Sequence, residues 1–225
     1  MNEHDLPLTR WARAERGYGR RFAELLERGE DIVGEARLAH TMAPPHGRIL
    51  DVGSGMGRIG AHLLTLGHQV VAAEPDPELV AQSRSTWPDL DVVPHEILAL
   101  TPQVLTTAGH PTQYDVITCI GNVLPFVAEG TEVRVLRRLA EFLAPDGRIL
   151  VGFHLSGGPV TEGPESARHY TVAEFHDDVA AAGLRIDHHF GGYDLRPADD
   201  EFAVWVLSPA PPLGGAQEVT IGGSD

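Results

Sequence analysis

Hydrophobic and polar positions along this chain fall into two alternating patterns. Short apolar runs, RILDVG (48–53), QVVAAE (69–74), YDVITCI (114–120) and GRILVGFH (147–154), are too brief for helices and carry few polar breaks. Such runs are typical of strands buried on both faces. Between them lie segments with apolar residues at helical spacing. GRIGAHLLTLG stops at Gly67, and the next helix opens on Asp76 as its cap, with Pro77 at its first position. TEVRVLRRLAEFL ends at the turn Pro145-Asp146-Gly147. Thr171 and Glu174 form a capping box for a helix ending near Gly183. LDVVPH (90–95) predicts a third strand, and Pro94, which has no N–H to donate, puts that strand at a sheet edge. LRIDHHF and FAVWVLS predict two more strands joined by an irregular loop. Ahead of all this, residues 11–42 read as one or two helices, WARAERGYGRRFAELLER and IVGEARLAHTM, ended by Pro44-Pro45. The expected organisation is a helical lid over 1–45, an α/β core over 46–208 and a disordered tail over 209–225, which is rich in Pro, Gly and small polar residues.

Strands alternating with helices imply a mostly parallel sheet covered on both faces, with ligands bound beyond the carboxyl ends of the strands where strand order reverses. Composition narrows the function. The 225 residues suit one domain, and no apolar run reaches the length of a membrane span. The start MNEHDLPLTR has no apolar stretch behind a basic segment, so a cytoplasmic location is expected. Acidic residues number 32 against 17 basic ones, a net charge of −15 that argues against a nucleic-acid partner. All the basic residues are arginine, which excludes a Schiff-base lysine and a P-loop. Cys119 is the only cysteine, so no internal disulfide exists; the 12 histidines form no HExxH, and no metal site is expected.

The densest chemical signal is ILDVGSGMGRIG (49–60). Gly53, Gly55 and Gly57 follow a core strand and precede a helix, where glycine permits positive φ and close approach of backbone to a ligand. The free N–H groups of the helix that follows are expected to point at that ligand. The spacing Gly55-x-Gly57-x-x-Gly60 also fits a dinucleotide fingerprint. Asp51 favours S-adenosylmethionine (SAM) over NAD, because a carboxylate there suits the ammonium of an amino acid and not a pyrophosphate. Glu74, at the end of the next strand, suits ribose hydroxyls and so an adenosine of either kind.

These residues resemble the class I SAM-dependent methyltransferases over roughly residues 15–208. The resemblance rests on ILDVGSGMGR, VVAAEPDPELV, HEILAL, YDVITCIGNVLPF and LAPDGRILVGF. More narrowly, Gly34-Glu35-Ala36 in the lead helix and Gly121-Asn122-Val123 after the fourth strand resemble small actinobacterial members. The resemblance implies a Rossmann-like, doubly wound, seven-stranded sheet in the order 3-2-1-4-5-7-6 with strand 7 antiparallel. It implies SAM as cofactor, with Gly53, Gly55 and Gly57 facing the methionine moiety, Asp51 supporting its ammonium, and Ser54 and Arg58 among the cofactor-binding residues. Glu74 and Pro75 would meet the ribose, Glu96 and Ile97 the adenine, and Ile120 and Gly121 would offer backbone. Tyr18 would join from the lead helices. There Trp11, Tyr18 and Phe22, spaced seven and four apart, are expected to share one helix face as a lid.

For chemistry, His154 is the candidate base, since it ends a core strand on the ligand edge and histidine titrates near neutrality. Asn122 is the candidate that orients the acceptor. Cys119 is expected in the core, and one of His188 and His189 points inward. The segment SGGPVTEGPESARHY (156–170) is expected to form a loop walling the acceptor pocket. The fourth motif lacks the Asn/Asp-Pro-Pro-aromatic pattern of enzymes that methylate exocyclic amines. The expected partner is a small-molecule acceptor, with no nucleic acid and no membrane, on a monomer or homodimer. An NAD-dependent oxidoreductase and a non-catalytic SAM-binding protein are the competing readings.

Overall fold

The computed structural model of the chain describes residues 6–13, 18–156 and 167–211. Most of the expected tail, and residues 157–166 of the expected acceptor loop, lie outside the described residues. Among the described residues, seven strands form one sheet in the order β3-β2-β1-β4-β5-β7-β6. These are β1 (Arg48–Val52), β2 (Gln69–Ala73), β3 (Asp91–Val93), β4 (Tyr114–Ile120), β5 (Leu143–His154), β6 (Leu184–Phe190) and β7 (Phe202–Pro209). The first five run parallel, and β7 is antiparallel to both β5 and β6.

Helices cover both faces: α1 (Tyr18–Glu27), α2 (Gly34–Met42), α3 (Arg58–Thr65), α4 (Pro77–Thr86), α5 (Pro102–Thr107), α6 (Val123–Phe126), α7 (Glu132–Glu141) and α8 (Val172–Ala181). Neighbouring strand residues feed opposite layers, as the two-residue period of a strand requires. Ile49, Val116, Leu150 and Val204 pack with α2 and α3 on one face. Leu50, Ile117, Val151 and Trp205 pack with α7 and α8 on the other. That two-sided burial is why the strands read as nearly unbroken apolar runs.

The local signals land where expected. Asp76 Oδ1 accepts from the Glu78 N–H at the start of α4, and the Thr171–Glu174 box closes reciprocally on α8. β3 is indeed an edge strand, but it ends at Val93, so Pro94 lies just beyond the ladder. The Pro145-Asp146-Gly147 turn interrupts the β4–β5 register: Tyr114 pairs with Leu143 and Val116 with Arg148. Gly147 is demanded there, since a Cβ would stand 2.8 Å from the Tyr114 carbonyl.

The lead segment differs from the expectation. Trp11 belongs to a separate 3-10 turn, Trp11–Arg13, and Phe22 to α1, so the three aromatics do not lie along one helix. The side chain of Tyr18 lies outside the described residues. No helix among the described residues is long and apolar enough to cross a membrane.

Candidate functional site

Strand order reverses between β1 and β4, and a cavity opens there beyond their carboxyl ends. Its floor is the β1–α3 loop, from which Gly53 and Gly55 face the cavity. Gly53, Gly55 and Gly57 all have positive φ, at 64°, 58° and 83°. Space as well as conformation selects glycine: a Cβ on Gly53 would sit 2.5 Å from Val123 Cγ2, and one on Gly57 2.4 Å from Ser83 Oγ.

Glu74 forms the wall beside this floor. Its Oε2 accepts from the Gly55 N–H at 2.8 Å and its Oε1 from the Asp76 N–H at 2.9 Å. Burial pushes the carboxyl up to about 7, against the pull of those two donors. Pro75, Glu96 and Ile97 continue the wall, with Glu96 Oε2 accepting from the Leu98 N–H at 2.8 Å. Gly121 after β4 closes the far side.

Asp51 does not reach the cavity lining. Its Oδ1 accepts from Thr118 Oγ1 at 2.7 Å and its Oδ2 from the Gly60 N–H at 3.2 Å. The cap residue of α3 is Gly57, which has no side chain, so the strand carboxylate satisfies a buried N–H of that helix. The expected free N–H groups aimed at a ligand are thereby reduced. Burial raises Asp51 to about 6. Arg58 likewise turns away from the cavity. Its guanidinium makes a fork to Glu35, at 2.9 and 2.6 Å, donates to the Ile32 carbonyl and stacks over the Phe22 ring. The Gly34-Glu35-Ala36 element thus ties α2 to the start of α3. Ser54 and Ile120 are also outside the lining, and Ser54 Oγ is buried in the glycine loop without a hydrogen-bond partner among the described residues.

The two candidate catalytic residues, distant in sequence, meet. Asn122 sits at φ 67° between Gly121 and Val123, which line the cavity, while Asn122 and His154 themselves stand outside the lining. Its Oδ1 accepts the His154 backbone N–H at 2.8 Å and lies 3.2 Å from His154 Nδ1. An oxygen that already accepts one N–H accepts the second, which places the imidazole proton on Nδ1 and leaves Nε2 as the basic nitrogen. Burial lowers the histidine pKa, so the ring is neutral at neutral pH. Cys119 is buried in β4, its thiol pushed up to about 12 by burial.

Sequence reasoning missed most of the roof. Thr9 and Trp11 lie over the cavity, with Leu79, Val123, Phe126 and Val127. Trp11 was visible as an aromatic of the lead. Thr9 carried no signal, because it reaches the site only by tertiary folding. Among the described residues no cluster of three His, Cys, Asp or Glu side chains could hold a metal.

Comparison with known proteins agrees with this geometry. Residues 50–149 match the family model described as a methyltransferase domain. A TehB-like SAM-dependent methyltransferase from Corynebacterium glutamicum superposes with a TM-score of 0.72 at 30% identity, covering 85% of this chain and 96% of that one. The ubiquinone biosynthesis O-methyltransferase of Xanthomonas campestris is 30% identical over 149 residues, and the chain spans 58% of its length. A Burkholderia thailandensis N1-methyltransferase solved with 1,6-didemethyltoxoflavin and S-adenosylhomocysteine shares the fold, at a TM-score of 0.57 and 18% identity over 86% of this chain and 88% of that one. The seven-stranded order with its antiparallel hairpin also departs from the 3-2-1-4-5-6 sheet of dinucleotide-binding folds.

Proposed function

The chain belongs to the SAM-dependent methyltransferase family, and on that footing we propose that it methylates a small hydroxyl-bearing acceptor with SAM as donor. The observation that carries this reading is the cavity at the strand reversal, floored by bare glycine backbone and walled by a buried carboxylate. SAM fits the residues present. Glu74 offers two oxygens to ribose hydroxyls, and Gly53 and Gly55 admit close backbone approach. Asp51 acts beneath the loop, fixing Gly60 and hence the floor, and not by touching the ammonium. Arg58 holds the loop against α2. Glu96 and Ile97 would flank the adenine, and Gly121 and Ile120 would supply backbone.

When bound, SAM supplies an electrophilic methyl carbon on a good leaving group. The chain's contribution is therefore chiefly orientation, exclusion of water and one proton transfer. Asn122 fixes the His154 ring through Nδ1, so that Nε2 takes the acceptor's hydroxyl proton as the oxygen attacks. A neutral histidine is the species that task requires. The O-methyltransferase relatives and the acidic surface, unsuited to a polyanion, support a small hydroxyl compound as acceptor. A cytoplasmic location and a monomer or homodimer belong to the same proposal.

The test is calorimetry of ligand-stripped protein with SAM, followed by tritium transfer from labelled SAM to a panel of phenols, enols and amines. His154→Ala is expected to lower kcat about 10²- to 10⁴-fold while leaving SAM affinity within about twofold. Absence of any binding heat would refute the proposal.

A further inference from the structure

The lead segment crosses the cavity as a strap tied at both banks. Thr9 and Trp11 face down into the cavity, and the residue between them, Arg10, is buried. Arg10 Nη1 donates to the Val127 carbonyl at 3.0 Å and to Glu132 Oε1 at 2.9 Å; the two side chains are 10% and 4% exposed. On the opposite bank Trp11 Nε1 donates to Asp76 Oδ2 at 3.2 Å, while its ring lies 5.7 Å from Phe126, beside Val127 on the first bank. Leu6 packs on the main core, and Thr9 Oγ1 accepts from the Ala12 N–H at 3.1 Å, so the strap has a defined shape.

Glu132 has a second arginine. Arg168 Nη1 stands 3.6 Å from the same Oε1 and 2.7 Å from Asp178 Oδ2, while its backbone N–H donates to the Pro125 carbonyl at 3.0 Å. Tyr170 O–H completes the group by donating to Asp178 Oδ2 at 2.8 Å. One buried carboxylate at the start of α7 therefore joins the strap over the cofactor cavity to the segment that enters α8. A buried charge is retained only where its partner is well placed, because losing either member leaves the other desolvated and unpaired.

We propose that Arg10 is the positioning residue that holds the strap closed, with Glu132 as its catch and Arg168 as the brace of that catch. The inference rests on the reading of the cavity as the SAM site. It assigns Arg10 the release rate of the cofactor product, since the product leaves only after the ion pair and the Trp11 bond have parted. Breaking one partner of a buried hydrogen-bonded charge pair acts mainly on dissociation.

The experiment has two arms on the full chain. The first is hydrogen exchange of residues 8–12 in ligand-free protein. The second is stopped-flow dissociation of S-adenosylhomocysteine, read by tryptophan fluorescence. Arg10→Ala is expected to speed both exchange and dissociation by about tenfold or more, Arg10→Lys to restore part of the loss, and Arg168→Ala to speed both by a smaller factor. The Arg10→Ala and Arg168→Ala effects should be non-additive, because both act through Glu132. A purely structural role would lower the melting temperature with dissociation and exchange unchanged, and that result overturns the proposal. Failure of the wild type to bind S-adenosylhomocysteine would instead count against the functional reading, and the exchange arm would still judge the strap.

Discussion

The floor and the roof of the cavity are built on different principles. The floor is backbone: glycines at positive φ, whose loop N–H groups donate to the Ala73 carbonyl and to the buried Glu74 carboxylate, with Asp51 accepting from Gly60 beneath. The roof is side chain: Thr9, Trp11 and Phe126, held in place by an ion pair between residues 122 positions apart. A floor of this kind is fixed by its backbone bonds to Ala73 and to Glu74. A roof held by two polar ties has one conformation for each state of those ties. On the proposed reading, recognition belongs to the floor and residence time to the roof.

The hardest test of a rigid floor is Gly57→Ala. The positive φ of 83° and a Cβ 2.4 Å from Ser83 Oγ and 2.8 Å from Leu90 Cδ2 leave no room. A stability loss of about 2–4 kcal/mol is expected from strain and overpacking, read as a lower urea midpoint. A midpoint within experimental scatter of the wild type would show that the loop can relax and would blur the distinction. Next comes Glu74→Gln, which removes the charge and one acceptor from the wall. SAM affinity should fall about 10- to 100-fold by calorimetry, the scale of hydrogen bonds to a charged group. An unchanged Kd would move the sugar contact elsewhere.

Third is the pH dependence. Glu74 is raised to about 7 and Asp51 to about 6, chiefly by burial. The folded protein therefore binds more protons than the unfolded chain, and this part of its stability is complete below the unfolded carboxylate values. It is lost as pH rises through about 6 and then about 7. A cationic ligand prefers the ionised Glu74, so SAM should bind about tenfold tighter at pH 8 than at pH 6, with proton release detectable in buffers of different ionisation enthalpy. Affinity falling over that range would contradict the assignment of Glu74 to the wall.

The smallest effect is expected in the roof. Trp11→Phe keeps an aromatic ring near Phe126 and loses the donor to Asp76. An affinity loss of only several-fold is expected, about 1 kcal/mol for one partly exposed hydrogen bond. A loss exceeding that of Glu74→Gln would make the roof, and not the floor, the recognising surface.

Much of this was legible in the chain because it is local. Buried parallel strands need unbroken apolar runs, helix starts need acceptors, and positive φ needs glycine. Those rules located the strands, the Asp76 and Thr171 caps and the glycine floor, and with them the Asn122 and His154 positions at strand ends. What escaped was which way a polar side chain turns. Asp51 and Arg58 stand in the motif that marks the site, yet one caps α3 and the other clasps Glu35. Arg10 carries no distinguishing signal in sequence and is buried all the same.

The amino-acid order alone placed the core strands, the helix caps and the glycine turn, since propensity and capping act within a few residues, but it did not place the breaks in the lead segment. Folding settled the partners of its charges. A buried charge takes whatever counter-group the packed elements bring near, and residues distant in the chain supply it.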